Sequence, residues 1–324
     1  LGGKVIVITL FQSLLAVALV DVALIAFGAD TGLSLVLGAI AAATAPAATL
    51  MVIRQYRASG PVVETLLPVV AFDDAVGLVV FSVSIALARV FSTGAELTVQ
   101  SILVTPLIEI IGSLALGLIL GAALWLLNKW FKLGENKLIS AILVVFAATG
   151  LVQLVSSLWG IDMSGLLVCM MVGATFTNMC VDETEVLSRC DAWSTPLLML
   201  FFVISGAQLD ISVIPSIGVI GVIYILARSI GKYVGAYTGC KLTKANPVVT
   251  KYLGWTLLPQ AGVEIGMAQV AMAALPAIGA QINTVVLCAI FVYAIIGPII
   301  TKIALTKAGE IQPNQKRVKD KGHE

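Results

Sequence analysis

Charge is scarce in this sequence. Only 11% of its 324 residues are Asp, Glu, Lys or Arg, whereas a soluble domain carries about 25%. The chain is 59% hydrophobic and its mean hydropathy is +1.05, so it cannot cover itself with a hydrated surface. Its formal net charge of +1 leaves no broad basic face for nucleic acid. The composition therefore predicts an integral membrane protein in contact with lipid.

Histidine and paired cysteine are also scarce. The single histidine, His323, lies in the polar end of the chain, so no Ser-His dyad can form inside a membrane span. The five cysteines show no CxxC spacing and their number is odd, which favours small apolar helix residues over metal or disulfide sites. An intramembrane aspartyl protease needs its two aspartates on separate helices, and the adjacent pair Asp73-Asp74 does not supply that. We therefore expect neither an enzyme nor a resident cofactor.

Ten apolar runs are long enough, at about 20 residues each, to cross a bilayer as helices. They cover residues 4–27, 33–53, 61–88, 102–128, 137–158, 164–180, 189–207, 212–240, 248–274 and 283–305. We expect an all-α, polytopic transmembrane domain over residues 1–308 and a polar tail over 309–324. Because 4–27 is typical of a full span rather than a cleavable signal peptide, and the chain begins with Leu1, we expect N-terminal helices to be missing.

The basic residues separate onto one side of the predicted membrane. One set of alternating span ends carries Lys4, Arg54, Arg57, Lys129, Lys132, Lys137, Arg189, Lys241, Lys244, Lys251 and the cations from Lys302 onward. The opposite ends carry only Arg89. Because cytoplasmic loops hold the excess of Lys and Arg, both ends of this chain are expected in the cytoplasm, with the protein in the cell membrane.

Two adjacent carboxylates lie in the middle of a predicted span. Asp73 and Asp74 occur in PVVAFDDAVGLVVF, with apolar residues on both sides. Ionisable side chains inside a membrane are costly unless paired or hydrated, so each is a candidate functional residue. Two neighbouring carboxylates in a low-dielectric site cannot easily both be ionised, and either a cation or protons can neutralise them. The pair is therefore a natural place for a cation and protons to compete.

Two cations lie within another predicted span. Arg228 and Lys232 are four residues apart in LARSIGKYVGAYTG, which puts them on one face of a helix. Both need anionic partners, and the membrane spans offer the aspartate pair, Asp21, Glu109 and Glu264. We predict a structural ion pair between Arg228 and Glu109, with Glu264 as the competing partner.

Proline interrupts two spans among small residues. The first reads GAIAAATAPAATLMV and contains Thr44, Pro46 and Thr49; the second reads GWTLLPQAGVEIGMAQ and contains Pro259 and Glu264. Broken helices in corresponding positions of two repeats expose free carbonyls near the midplane of transporters. Spans 4–27, 33–53 and 61–88 match 212–240, 248–274 and 283–305 in this respect. We therefore predict inverted-topology repeats, each with one broken helix.

At these residues the chain resembles the second monovalent cation:proton antiporter family, which includes bacterial sodium/proton antiporters and the Kef-type potassium systems. The motifs that carry the resemblance are TAPAAT (44–49), FDDAVG (72–77), LMLFFVISGAQLD (198–210), GKYVG (231–235) and LLPQAGVEIGMA (257–268). They occur in the expected order and extend over nearly all of the chain. The resemblance implies a sodium/proton antiporter-like fold.

The resemblance also implies roles for individual residues. It implies that helices 33–53 and 248–274 cross near the site, that Asp74 is the main cation and proton ligand, and that Asp73 pairs with Lys232 and helps to carry protons. We also expect Thr44 and Thr49, on either side of Pro46, in the cation-binding site. In the related first family the broken helix typically reads Thr-Asp-Pro and the pair reads Asn-Asp. Here the corresponding residues are Thr44-Ala45-Pro46 and Asp73-Asp74, which favours electrogenic, two-proton exchange. Glu264 departs from the small residue that many members carry there.

The family resemblance leaves the transported ion open. We expect a homodimer in which a core domain moves in an elevator-like manner and exchanges Na+ or Li+ for protons. Kef-type members usually add a soluble nucleotide-binding domain, and none follows Glu310 here, which favours sodium over potassium/proton antiport. A sodium-coupled symporter for an organic solute shares crossed broken helices, but the Asp-Asp pair together with Lys232 argues against it.

Overall fold

The structure is a computed structural model that describes residues 2–93, 104–131, 133–161, 163–180, 183–207 and 214–311. The predicted polar tail lies outside the described residues beyond Ile311. The last three residues of the LMLFFVISGAQLD motif, the first two of the 102–128 span and the first two of the 212–240 span also lie outside them.

The described residues form twelve α-helices, numbered here in chain order. They are α1 (Gly2–Ala26), α2 (Thr31–Ala42), α3 (Pro46–Tyr56), α4 (Pro61–Thr93), α5 (Thr105–Trp130), α6 (Gly134–Trp159), α7 (Gly165–Met179), α8 (Glu183–Ala207), α9 (Ile214–Leu242), α10 (Pro247–Thr256), α11 (Gly262–Ala274) and α12 (Gly279–Lys307). Six of them, α1, α4, α5, α6, α9 and α12, are long and apolar enough to cross a membrane on their own.

The two spans that were predicted to break, at Pro46 and at Pro259, are each divided into two helices. The 33–53 span consists of α2 and α3, and the 248–274 span consists of α10 and α11. Each of the other eight predicted spans corresponds to one helix. The boundaries differ mainly at polar ends: α8 begins at Glu183 rather than 189, and α4 continues to Thr93 rather than 88. Helical hydrogen bonding there extends past the apolar run into polar residues.

The two helix breaks meet face to face. Pro46 begins α3 and has no N–H to continue the hydrogen bonding of α2, so Ala43 and Ala45 are extended. The backbone N–H of Ala45 donates to the carbonyl of Pro259 in the other break, at 3.0 Å. The hydroxyl of Thr49 donates to the carbonyl of Thr256 at 3.2 Å. These bonds confirm the predicted crossing of two broken helices.

Helices α1 and α9 pack without intervening side chains. Gly231, Gly235 and Gly239 recur every four residues on the face of α9 that touches α1. A Cβ atom on Gly235 would lie 2.6 Å from the Cα atom of Gln12, which is closer than real Cβ contacts allow. Small residues permit such close backbone approach between membrane helices. The close packing places Lys232 directly against the polar residues of α1.

The buried side chains form separate groups. Two clusters are built mainly from α1–α4 and α9–α12; buried Leu167 of α7 joins one of them, with partly buried residues of α5 and α7 packed against it. A third cluster joins α5, α6, α7 and α8 through Leu124, Val144, Val172 and Val186. The crossing is formed by α2, α3, α10 and α11, which belong to the first two clusters. Helices α5–α8 therefore flank the site without forming part of the crossing.

The glycine contact gives a direct test of the packing. Gly235→Ala is expected to destabilise the protein by about 1–3 kcal/mol, because the added methyl group forces α1 and α9 apart. Gly221→Ala is the matched control, since a Cβ there meets nothing within 4 Å and alanine favours the helix. Thermal unfolding of the purified protein, followed by loss of the monodisperse peak, compares them. Equal melting temperatures for the two variants would contradict the close packing.

Candidate functional site

A buried ion pair lies at the centre of the crossing. Lys232 on α9 and Asp73 on α4 are both completely buried, and the ammonium nitrogen is 2.9 Å from Oδ2 of the carboxylate. Lys232 also donates to Oε1 of Gln12 at 2.7 Å, to the hydroxyl of Thr44 at 2.9 Å, and to the carbonyl of Ala42. The sequence resemblance implied this pairing, and the structure brings the two side chains together.

Asp73 is saturated with hydrogen-bond donors. Its Oδ1 accepts from the Gln12 amide and the Ser13 hydroxyl, each at 2.5 Å. Its Oδ2 accepts from the Thr44 hydroxyl, also at 2.5 Å, as well as from Lys232. A buried charge is tolerated when a counter-charge and hydrogen bonds satisfy it in this way. In this arrangement both oxygens of Asp73 are therefore engaged by Lys232 and the neighbouring donors.

Asp74, the next residue, has a different environment. Its Oδ1 is buried and accepts no hydrogen bond from any protein group. The side chain lines a cavity of about 220 Å³ together with Thr49, Leu50, Leu66, Leu67, Val70 and Ala71. Thr49 and Leu50 lie near the beginning of α3, and the other residues lie on the first half of α4. The connection between these two helices is predicted to be cytoplasmic. Asp74 thus has one buried oxygen without a protein partner, and its side chain borders a space that a small ion can enter.

Arg228 does not pair with Glu109 as predicted. Its three guanidinium nitrogens donate instead to the carbonyls of Ala41, Leu258 and Ala43, at 3.2, 2.7 and 2.8 Å. Glu109 lies on α5, on the wall of a different cavity. The physical reason is that the interrupted helices leave carbonyls without intrahelical partners beside α9, and a guanidinium group can bond several of them at once.

Glu264 has one satisfied and one unsatisfied oxygen. The residue is completely buried in the first turn of α11, where its Oε2 accepts from the backbone N–H of Ala261 at 3.0 Å. Its Oε1 lacks a protein partner, as does Oε1 of the neighbouring Gln260. Glu264 is also near enough to Asp74 and Lys232 for their charges to interact. It therefore adds a further carboxylate to the electrostatics of the site.

Sequence reasoning missed Gln12 and Ser13. Both are completely buried on α1, and both donate to Asp73. The signal was available, because two adjacent polar residues interrupt the middle of the apolar run 4–27. Asp21, which was noted, does not join the crossing: its carboxylate packs against Gly38 and its Oδ1 has no partner.

The site combines features suited to a small, hard cation. Carboxylate, hydroxyl and carbonyl oxygens are the ligands that such ions prefer. Asp74 and Thr49 carry such atoms and both line the cavity, and the Thr49 hydroxyl also contacts the carbonyl of Thr256. Among the described residues there is no cluster of three His, Cys, Asp or Glu that would hold a resident metal ion. The geometry suits reversible ion binding that competes with protonation.

Comparison with known proteins agrees with this fold. A family model described as sodium/hydrogen exchanger, transmembrane, matches residues 1–307. No curated protein matches the sequence. A structure of the sodium proton antiporter MjNhaP1 from Methanocaldococcus jannaschii at pH 8 is 19% identical, with a TM-score of 0.75, covering 96% of this chain and 79% of that one. An electron-microscopy structure of the same antiporter is 20% identical, with a TM-score of 0.71 and coverages of 96% and 80%. At such identities the likeness shows a shared fold.

The Arg228 contacts predict the outcome of a charge-conserving substitution. Arg228→Lys keeps the positive charge but cannot reach three carbonyls, so at least one buried acceptor is left unsatisfied. Each such acceptor costs about 1–3 kcal/mol, and a fall in thermal stability of that order is expected. Arg54→Lys, at an exposed position on α3, is the control. If Arg228→Lys melts at the same temperature as the control, the carbonyl contacts do not stabilise the crossing.

Proposed function

The chain belongs to the transmembrane sodium/hydrogen exchanger family, and from this premise we propose that it is a secondary transporter that exchanges Na+ or Li+ for protons across the cell membrane. The observation that carries the proposal is Asp74, which has an unpartnered, buried Oδ1 and lines a cavity, next in sequence to the Asp73 of a completely buried Lys232–Asp73 ion pair. A transporter of this kind performs no covalent chemistry on its substrates.

Competition at Asp74 provides the basic exchange. A carboxylate in a poorly hydrated site needs either a proton or a cation to compensate its charge. When a cation enters from the cavity, the proton must leave, and when the cation departs a proton replaces it. The hydroxyls of Thr49 and Thr44 lie at the adjoining helix break, where they supply or position oxygen ligands. Binding one ion therefore excludes the other.

The Lys232–Asp73 pair supplies a second coupled proton. In the cation-free state the two residues neutralise each other across 2.9 Å. A cation that draws Asp73 into its coordination removes the counter-charge of Lys232. An ammonium group without a partner is unfavourable in a buried site, so Lys232 releases a proton. Two protons then move against one cation, which makes transport electrogenic and favours the second monovalent cation:proton antiporter family as the finer assignment.

The arrangement of clusters supports an elevator-like motion. The buried cluster of α5–α8 is distinct from the two clusters that hold the crossing. A cavity of about 570 Å³ lies between α4 and α11 on one side and α5–α7 on the other, lined among others by Arg89, Glu109 and Ser164. We propose that the crossing moves as a core domain past α5–α8, and that this second group forms the homodimer contact in the lipid membrane.

Two alternatives differ in what is transported. Potassium/proton antiport uses the same residues and differs only in the size of the ion that the site accepts. A sodium-coupled symporter for an organic solute needs space for that solute next to the ion, and the cavity at Asp74 is only about 220 Å³. Measurement of proton flux in proteoliposomes, with Na+, Li+ and K+ added in turn and no organic solute, separates these possibilities.

Replacement of Asp74 tests the central role directly. Asp74→Asn keeps the size of the side chain but can neither lose a proton nor offer a full charge, so exchange is expected to be abolished while the protein remains folded. Glu64→Gln, an exposed carboxylate on the same helix, is the control and should transport normally. Dequenching of a pH-sensitive dye in proteoliposomes measures both. Substantial exchange by Asp74→Asn would remove Asp74 from the mechanism.

Replacement of Lys232 tests the second proton. With two protons per cation, an imposed membrane potential drives transport by about 2.3 kcal/mol per charge per 100 mV. Lys232→Gln cannot titrate, so any surviving exchange should lose its voltage dependence. If the exchange equilibrium of the wild-type protein does not depend on membrane voltage, the two-proton mechanism is wrong. A Gln variant that stays electrogenic would instead assign the second proton to another group, with Glu264 the first to examine.

A further inference from the structure

The carboxylate of Glu310 closes the beginning of the helix that carries the aspartate pair. Glu310 follows α12, yet its Oε1 accepts from the backbone N–H of Val62 at 2.6 Å and its Oε2 accepts from that of Val63 at 3.0 Å. The backbone carbonyl of Glu310 also accepts from the N–H of Ser59 at 3.1 Å. The side chain is buried, with 5% of its surface exposed. Residues 248 positions apart therefore meet at the first turn of α4.

The local sequence of α4 explains why a distant residue is needed there. Gly60 accepts the first helical hydrogen bond of α4 but has no side chain that can bond the exposed N–H groups. Pro61 has no N–H, which leaves those of Val62 and Val63 as the ones that require acceptors. Gly60 has a φ of 154°, and a Cβ there would lie 2.6 Å from the Glu310 side chain. Glycine at this position therefore makes room for the Glu310 carboxylate.

A proline separates the first two turns of α4 from the rest of the helix. Pro68 lies inside α4 and removes the hydrogen bond to the carbonyl of Glu64. The segment 61–67 thus depends less on the helix above it and more on its other contacts. Two residues of this segment, Leu66 and Leu67, line the cavity that leads to Asp74. The position of these turns therefore affects access to the ion-binding carboxylate.

The chain after α12 is itself fixed at this point. Leu305 and Ile311 are buried in the same apolar cluster as Val62, Val63 and Leu66. Apolar packing thus holds the end of α12 against the start of α4 on both sides of Glu310. The carboxylate adds two charge-assisted hydrogen bonds at the positive end of the helix, where a negative charge is favourable.

We propose that Glu310 is a positioning residue for transport. It caps α4 from outside the helix, holds the segment 61–67 in place, and thereby sets the access of cytoplasmic cations to Asp74. The cap itself is a property of the fold, whereas its effect on cation binding rests on the proposed antiport function. Glu310 touches neither the ion nor the Lys232–Asp73 pair, so its influence is exerted through α4.

Amide hydrogen exchange of the full chain in detergent tests the cap without any transport assay. In Glu310→Ala, exchange at Val62 and Val63 is expected to rise about tenfold, which corresponds to the loss of a helix cap. Peptides from α9 and α12 should be unchanged. Glu310→Gln keeps one acceptor oxygen and should give an intermediate rate. Glu64→Gln removes a charge from the same turn without removing the cap and should match the wild type.

Transport kinetics in everted vesicles test the positioning role. Glu310→Ala is expected to raise the cytoplasmic KM for the cation at least about threefold with a smaller change in kcat, and Glu310→Gln should restore part of the difference. Wild-type exchange rates at Val62 and Val63 in Glu310→Ala would overturn the cap. Faster exchange in every helix, or an unchanged KM, would reduce Glu310 to a structural residue and overturn the positioning role. Absence of cation exchange in the wild type would overturn the proposed function, while the cap would still be judged from amide exchange alone.

Discussion

Two cations on one face of α9 must be satisfied inside the membrane, and the rest of the crossing is arranged around them. The breaks after α2 and α10 leave carbonyls that no helical N–H can reach. Arg228 takes those of Ala41, Ala43 and Leu258, and Lys232 takes that of Ala42. Since helix C-termini carry partial negative charge, the cations also complement the dipoles of the two half-helices. An unbonded carbonyl and an unpaired cation are each unfavourable inside a membrane. Hydrogen bonds between them stabilise both.

Asp73 and Asp74 are adjacent in sequence, yet they have different chemical roles because their side chains leave α4 in different directions. Successive helical residues point about 100° apart, so Asp73 faces α1 and α9 while Asp74 faces α3 and the cavity. Asp73 has a donor on every side, and Asp74 has a buried oxygen without a protein partner. The saturated carboxylate holds the ammonium group in place, and the unsaturated one remains available to an ion. Because both residues are aspartate, residue type alone does not distinguish the two roles; their surroundings do.

The sequence predicted the parts of the site that depend on local pattern or on charge inside lipid. Proline among small residues indicated both helix breaks, and the resemblance implied the Lys232–Asp73 pair. The partner of Arg228 was wrong because only side-chain anions were considered, whereas the breaks had also released carbonyls. The contacts of Gln12 and Glu310 depend on which distant helices pack together. No periodicity reports that information, so only the three-dimensional structure supplied it.

The central ion pair has a consequence for how the protein is made. Asp73 and Lys232 are 159 residues apart, and five helices, α4 to α8, lie between the start of one partner's helix and the start of the other's. During synthesis α4 therefore leaves the ribosome long before α9 exists. An unpaired carboxylate is costly in the bilayer centre, so α4 is not stable there with Asp73 charged until a partner arrives. Arrival of α9 then completes the pair, and the first and last parts of the chain commit to the fold in the same step.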